Sequence, residues 1–171
     1  MAMNPFYDAL ETRAPQEREA ALMAALPQQV AHAKQASSAF ASILAGVDAQ
    51  TITSRAALAQ LPVTRKYELQ ERQQAERAHN AFGGFASIGF GAAMPRVFAS
   101  PGPIYEPEGA RADYWRMARA LYAAGFRAGE LAHNCFSYHF VPAGSMMESG
   151  AHALGCTVFP GGTGQTEQQV Q

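Results

Sequence analysis

Apolar positions in the first part of the chain recur at helical spacing. Leu22, Leu26 and Val30 fall on one stripe. "PQEREAALMAAL" (Pro15–Leu26) opens with proline at a first-turn position and has acidic residues beside it. The spacing predicts a helix from Pro15, with Pro27 as the point where it breaks into two. "TSRAALAQL" (Thr53–Leu61) reads as a short capped helix. Thr64 reads as the cap of another, "RKYELQERQQAERA", whose apolar content is thin and whose charges alternate as on a solvated face. From 80 to 95 the periodicity stops: "NAFGGFASIGFGAAMP" scatters four glycines and three phenylalanines among small residues, the pattern of a connection.

Beyond residue 95 short apolar runs alternate with helical patterns. "RVFAS" (Arg96–Ser100) reads as a strand. "RADYWRMARALYAAGF" (Arg111–Phe126) reads as an amphipathic helix with Tyr114, Ala118, Leu121 and Tyr122 on one face, stopped near Gly125. "LAHNCFSY" (Leu131–Tyr138) reads as a strand, "PAGSMMESGAHAL" (Pro142–Leu154) as a helix ended by Gly155, and "CTVF" (Cys156–Phe159) as a last strand. The order predicts an α/β fold: a helical N-terminal part, then a β-α-β-α-β unit on a parallel sheet, incomplete at the C-terminus. The segments are 1–79 (helical), 80–95 (Gly-rich connection) and 96–171 (first α/β unit). Thr166 and Gln169 have capping-box spacing, so a helix is expected to begin where the chain stops at Gln171. The expectation is the front piece of a longer protein. Strand 156–159 would then lack neighbours, and self-association into a homo-oligomer is expected.

Composition narrows the function classes. With 48% hydrophobic and 16% charged residues the chain has material for a core. Residues 1–80 hold eight Lys/Arg and eight Asp/Glu, and residues 81–171 hold five and six, with nothing basic after Arg127. No clustered basic footprint exists, which argues against nucleic acid. No apolar run reaches the length of a membrane span, and no signal peptide precedes the first helix, so a cytoplasmic protein with no membrane partner is expected. Cys135 and Cys156 read as small buried hydrophobes in a reducing compartment. On a strand, Cys135 would share a face with His133 and His139, thin support for a catalytic thiol. His133 reads as a satisfied core histidine. His139 and His152 lack a third ligand at short spacing, so no metal set is assigned. Met146 and Met147 read as helix packing, and Glu148 as a solvent-facing charge.

Four segments, in order, carry a resemblance. "LPVTRKYEL" (Leu61–Leu69), "YWRMARALYAAGFRAGE", "AHNCFSYHFVPAG" and "GAHALGCTVFPGGTGQTEQQVQ" resemble the phenylacetate–CoA ligase family, a branch of the adenylate-forming ligases. The resemblance runs from about Leu61 to Gln171. It implies an N-terminal portion of an enzyme that joins a small aromatic or apolar carboxylic acid to ATP, releases pyrophosphate with Mg²⁺ assisting, and passes the acyl group from the adenylate to coenzyme A. It also implies that the adenine-binding segment, the ribose-binding acid and the catalytic lysine lie outside this chain. This chain therefore carries no catalytic residue and is expected to be inactive and to bind none of these cofactors by itself.

In that family a Ser-Ser-Gly-Thr-Thr-Gly-Lys-Pro loop holds the ATP phosphates. The corresponding "SPGPIYEP" keeps Ser100, Gly102 and Pro107. It puts Pro101 and Pro103 at hydroxyl positions, Ile104 and Tyr105 for a threonine and a glycine, and Glu106 for the lysine. The prolines remove N–H donors and fix φ. Glu106 sets an anion where a cation belongs, and the repulsion costs about 1–4 kcal/mol between a water-like and a protein-surface dielectric. The expectation is a degenerate phosphate loop marked by Ser100, Gly102 and Glu106. It fits an active ligase with a rebuilt loop, or a non-adenylating binding or regulatory relative that holds an apolar acid or acyl-CoA.

Where family members read "AYGYGLFTGG", which helps wall the aryl pocket, this chain reads "CFSYHFVPAG". The resemblance makes Phe136, Tyr138, Phe140, Val141 and Gly144 the candidate substrate pocket, with Ser137 and His139 reshaping it. The "GGTGQTE" turn (Gly161–Glu167) is Gly-rich and opens a helix, but its position in the family makes it a structural turn.

Overall fold

The computed structural model describes residues 4–171, which divide into two compact units. One unit is helical and comprises 13–93 together with 102–107. Its long helix α1 (Pro15–Ala36) continues past Pro27 instead of ending there. An interior proline costs about 3 kcal/mol, and tertiary packing offsets it: Leu26 and Val30, on either side, enter a core with Leu44 and Ile52. Ser37 separates α1 from α2 (Ser38–Ile43) and caps the latter by accepting from the Phe40 N–H at 3.2 Å. Two short helices follow, α3 (Arg55–Leu58), capped by Ser54, and α4 (Lys66–Glu76). Thr64 is not the α4 cap. That place falls to Arg65, whose N–H is met by the Glu68 carboxylate at 2.8 Å. The Gly-rich segment 80–95 is sewn to α2, since the Gly84 carbonyl accepts from the Ser37 hydroxyl at 2.7 Å and the Ala39 N–H at 3.1 Å. Gly84 takes φ 78°, and a Cβ there would stand 3.1 Å from the Ala39 backbone nitrogen, so this approach needs glycine.

The other unit comprises the segment up to Thr12, residues 94–101 and residues 108–171. Strand β1 (Arg96–Ser100) lies in this unit, whereas β2 (Ile104–Glu108) belongs up to Pro107 to the helical unit. The parallel sheet is the pair β3 (Leu131–His133) and β4 (Thr157–Phe159), in register Leu131↔Thr157, Ala132↔Val158, His133↔Phe159. Helix α6 (Ala143–Leu154) makes the crossover between them and ends on Gly155 in the left-handed region, at φ 84°. The expected helix over 111–126 shrinks to α5 (Ala118–Ala123). Asp113 and Arg116 take φ of 47° and 60°, which a helix cannot hold. Asp113 instead turns its carboxylate onto the Met117 and Ala118 N–H groups, at 2.7 and 3.2 Å, and starts the helix there.

One face of β3–β4 is covered: Ala132, Ala151 and Cys156 form the core, with Leu121, Phe126, Leu154 and Val158 packed on it. The opposite face leaves Leu131 (67% exposed) and Phe159 (54%) in the open, beside exposed His133 and Thr157. The segment before Thr12 docks on α5 of the same unit, where Arg119 pairs with Asp8 at 2.7 Å and with Glu11 at 2.6 Å. At the chain end, α7 (Thr166–Val170) starts after Gln165, not with a Thr166 cap. Gln169 reaches back to donate to the Gly162 and Gly164 carbonyls. Among the described residues no helix is long and apolar enough to cross a membrane.

Candidate functional site

The two groups of candidate residues occupy different places. Ser100 ends β1, Gly102 sits in the turn at φ 136°, and Glu106 lies within β2. "SPGPIYEP" is therefore the end of β1, a three-residue turn and most of β2. In the helical unit α4 holds this stretch. Gln73, 2% exposed, accepts from the Tyr105 N–H at 2.8 Å and donates to the Tyr105 carbonyl at 3.0 Å. One side-chain amide thus satisfies both backbone groups of a single residue, as a neighbouring strand would. Gln70 donates to the Gly102 carbonyl, and the Arg77 guanidinium lies 5.5 Å from the Tyr105 ring centre. The α4 sequence reads as a surface helix, and Gln73 is the exception it hides.

The second group follows β3. The Asn134 side chain is its centre: the residue is 6% exposed, and its amide donates to the Tyr138 hydroxyl at 2.7 Å and the Gly144 carbonyl at 2.8 Å. Its side-chain oxygen accepts from the Phe136 N–H at 3.1 Å. The Tyr138 hydroxyl in turn donates to the Glu148 carboxylate at 2.7 Å. Burial, reinforced by that carboxylate, pushes the Tyr138 phenol up to about 12. Glu148 is thus a network partner and not a solvent-facing charge. Gly144 permits the whole arrangement, because a Cβ there would sit 2.8 Å from both the Ser137 carbonyl oxygen and the Tyr138 ring.

The five pocket candidates do not share one cavity. Phe136 lines a recess of about 430 Å³ with Leu121, Phe126, Ala132, Met147, Ala151 and Val158, and residues 133–135 line it as well. Tyr138 faces a smaller space of about 270 Å³ with His139 and residues 160–163. Phe140 points outward at 82% exposure with φ 60°, and its carbonyl accepts from the Ala99 N–H at 2.8 Å. Val141 and Gly144 line neither space.

His133 is not a core histidine. It is exposed and stands edge-on to Phe159, ring centres 5.2 Å apart. Strand alternation explains this: Ala132 and Asn134 turn inward, so Leu131, His133 and Cys135 turn out. Of the two cysteines, Cys156 is buried as expected and Cys135 is exposed. The Cys156 thiol lies 3.1 Å from the Arg127 carbonyl, and burial pushes its pKa up.

No family model matches the chain. Curated relatives do: it is 35% identical over 133 residues to the phenylacetate–coenzyme A ligase of Aromatoleum evansii and 34% identical over 135 residues to that of Thermus thermophilus. Each match takes in 74% of this chain and 28% of the relative, so the chain spans little more than a quarter of those enzymes. Over 96% of its length the fold superposes on a 2-hydroxyisobutyryl-CoA ligase complexed with 2-HIB-AMP, with a TM-score of 0.84 at 23% identity and 35% of that chain covered. A second structure of that ligase, open and complexed with 2-HIB-AMP and CoA, gives a TM-score of 0.83. The chain is a phenylacetate–CoA ligase-like member of the adenylate-forming ligases.

Proposed function

We propose that this chain is part of an ATP-dependent acid–CoA ligase that activates a small aromatic or apolar carboxylic acid as its adenylate and transfers the acyl group to coenzyme A. The observation that carries this reading is the identity of 34–35% with phenylacetate–CoA ligases across three quarters of the chain. ATP, Mg²⁺ and CoA belong to the whole enzyme. Segments 1–79, 80–95 and 96–171 are its helical part, connection and first α/β unit. Residues 134–144 contribute to the wall against the acid, with Phe136, Tyr138, Phe140, Val141 and Gly144 as the residues to vary. The whole protein works in the cytoplasm as a homo-oligomer, and the exposed Leu131 and Phe159 support a further surface packing on this unit.

The turn 101–103 does not suit a phosphate grip. Two of its residues are prolines without N–H groups. Gln73 occupies the N–H and carbonyl of Tyr105, and Gln70 occupies the Gly102 carbonyl. No step is therefore routed through this loop, and the nucleotide is held by groups elsewhere in the whole enzyme. The same observation favours a second reading, a relative that keeps the fold and binds an acid or acyl-CoA without adenylating it.

ATP–pyrophosphate exchange by the full-length native protein, with Mg²⁺ and a panel of aryl and alkyl acids, separates the two. Acid-dependent exchange establishes the ligase and identifies its acid. Absence of exchange from a folded protein selects the binding relative. The 171-residue chain alone is expected to form no thioester, and turnover by it would overturn the assignment of the catalytic groups to other parts of the enzyme.

A further inference from the structure

A cleft of about 330 Å³ lies between the first residue of β1, the stretch 108–113 and the last turn of α6, all within one compact unit. Two carboxylates line it, and both are already engaged. Glu108, 5% exposed, accepts from the Arg96 guanidinium at 2.5 Å and from the Trp115 indole N–H at 2.9 Å. Asp113 accepts from the Met117 and Ala118 N–H groups at 2.7 and 3.2 Å. The donors on the same wall are not used up. Arg96 is exposed and turns one nitrogen of its guanidinium to Glu108. Arg111 is exposed too, with a single long contact of 3.4 Å to the Tyr114 carbonyl. The exposed His152 imidazole, in the last turn of α6, has no hydrogen-bond or ion-pair partner among the described residues. Ser149 adds a hydroxyl to the lining.

We propose that this cleft binds a compact phosphorylated molecule, its phosphoryl oxygens held by Arg96 and Arg111 with His152 beside them. A guanidinium presents its N–H donors as a planar fork. Two forks offer more donors than the two oxygens of one carboxylate take, and they suit the three terminal oxygens of a phosphoryl group. Small-molecule pockets run from about 300 to 1,000 Å³, so a cleft of about 330 Å³ sets a compact occupant. Its charged lining also limits what meets it in the whole protein: an apolar surface packed there would strand two guanidinium groups without partners. The cleft stands apart from the turn 101–103, because Arg96 opens β1 and Ser100 closes it, about 13 Å along a strand at about 3.3 Å per residue. The proposal does not rest on the ligase reading.

The test uses the 171-residue chain with inorganic phosphate as probe and acetate as the carboxylate control, chloride holding the ionic strength constant. Titration calorimetry reads binding. The emission of Trp115, the single tryptophan, reads position, because its indole N–H rests on the same Glu108 carboxylate that holds Arg96. We expect phosphate to bind with half-saturation at roughly 1 mM or below, the affinity that two charge-assisted contacts supply, and to change Trp115 emission along the same curve. Acetate should bind at least about tenfold more weakly, having fewer oxygens for the two forks. Arg111→Gln should weaken phosphate about tenfold or more, and His152→Gln should weaken it about threefold, both in chains with native circular dichroism. No phosphate binding, binding that leaves Trp115 emission unchanged, equal binding of acetate, or undiminished binding by folded Arg111→Gln would each overturn the proposal. If Arg111→Gln does not fold, the anion preference and the Trp115 response of the wild-type chain decide it.

Discussion

Gly150 of α6 sets how closely α5 and α6 approach, and Gly150→Ala tests that directly. A Cβ at this position would stand 2.7 Å from the Met117 Cβ, 2.9 Å from the Ala118 backbone nitrogen and 3.0 Å from the Met117 carbonyl carbon. Carbon atoms in contact prefer about 3.5–4.0 Å, so the start of α5 has to retreat by close to an ångström. Two of the three obstructing atoms are backbone, and Ala118 is fully buried, so no flexible side-chain end can swing aside. Overpacking of this kind costs about 1–3 kcal/mol. Replacing glycine inside a helix returns about 0.5–1 kcal/mol. The clash wins, and the net destabilisation is about 1–2 kcal/mol, or a fall of about 2–8 °C in Tm for a chain of this size. Urea and thermal unfolding followed by circular dichroism read it, with Ser149→Ala as the control for helix propensity at the adjacent position. If Gly150→Ala unfolds at the same or higher urea concentration than wild type, propensity governs this position and the two helices are not held at backbone contact.

Tyr138→Phe removes the hydroxyl that links Asn134 to Glu148, and a loss of about 1–2 kcal/mol in urea unfolding is expected. The wild-type chain should show one tyrosine titrating near pH 12 in alkaline difference spectra, absent in the variant; because the folded value is raised, its stabilisation is complete below about pH 10 and is lost as the pH climbs through about 12. Arg119→Met removes both ion pairs to the N-terminal segment, so hydrogen exchange at the Leu10 amide should accelerate. The hydrogen bond from Arg119 holds the Asp8 carboxyl below its ordinary 3.8, so the same loosening appears in wild type only as the pH falls from there through the depressed folded value. Gln73→Ala strands the N–H and carbonyl of Tyr105, and a destabilisation of about 2–3 kcal/mol is expected; a value near zero would show that β2 needs no hold from α4.

Much of the α/β half was legible because its punctuation is local. Pro142 and Gly155 bracket α6 in the sequence, and the short apolar run before "PGG" marks β4. The inward turn of Ala132 and Asn134 was also open to reading, since alternation along β3 sends His133 outward. Other features depend on partners far along the chain. Pro27 should end a helix by local rules, yet packing of Leu26 and Val30 on Leu44 and Ile52 carries α1 through it. Asp113 looks like a helical residue of a charged face, and only its left-handed backbone reveals it as the cap that delays α5. The resemblance to the ligases singles out the stretch from Asn134 to Gly144 as a candidate, but not the bond from Tyr138 to Glu148 that ties it to α6.

The stretch "SPGPIYEP" shows most clearly where reading by analogy stops. Sequence alone shows what the segment lacks: two N–H donors and a lysine. It does not show what the segment has gained, because Gln73 lies 32 residues upstream in a helix with every mark of a surface element. A buried glutamine whose amide is fully used by one residue's backbone gives the segment a fixed strand conformation. A phosphate-gripping loop needs the opposite, with N–H groups turned toward an anion that comes and goes. The substitutions and the Gln73 contact therefore support the same proposal, that the segment here belongs to the scaffold and a nucleotide would be held by other groups.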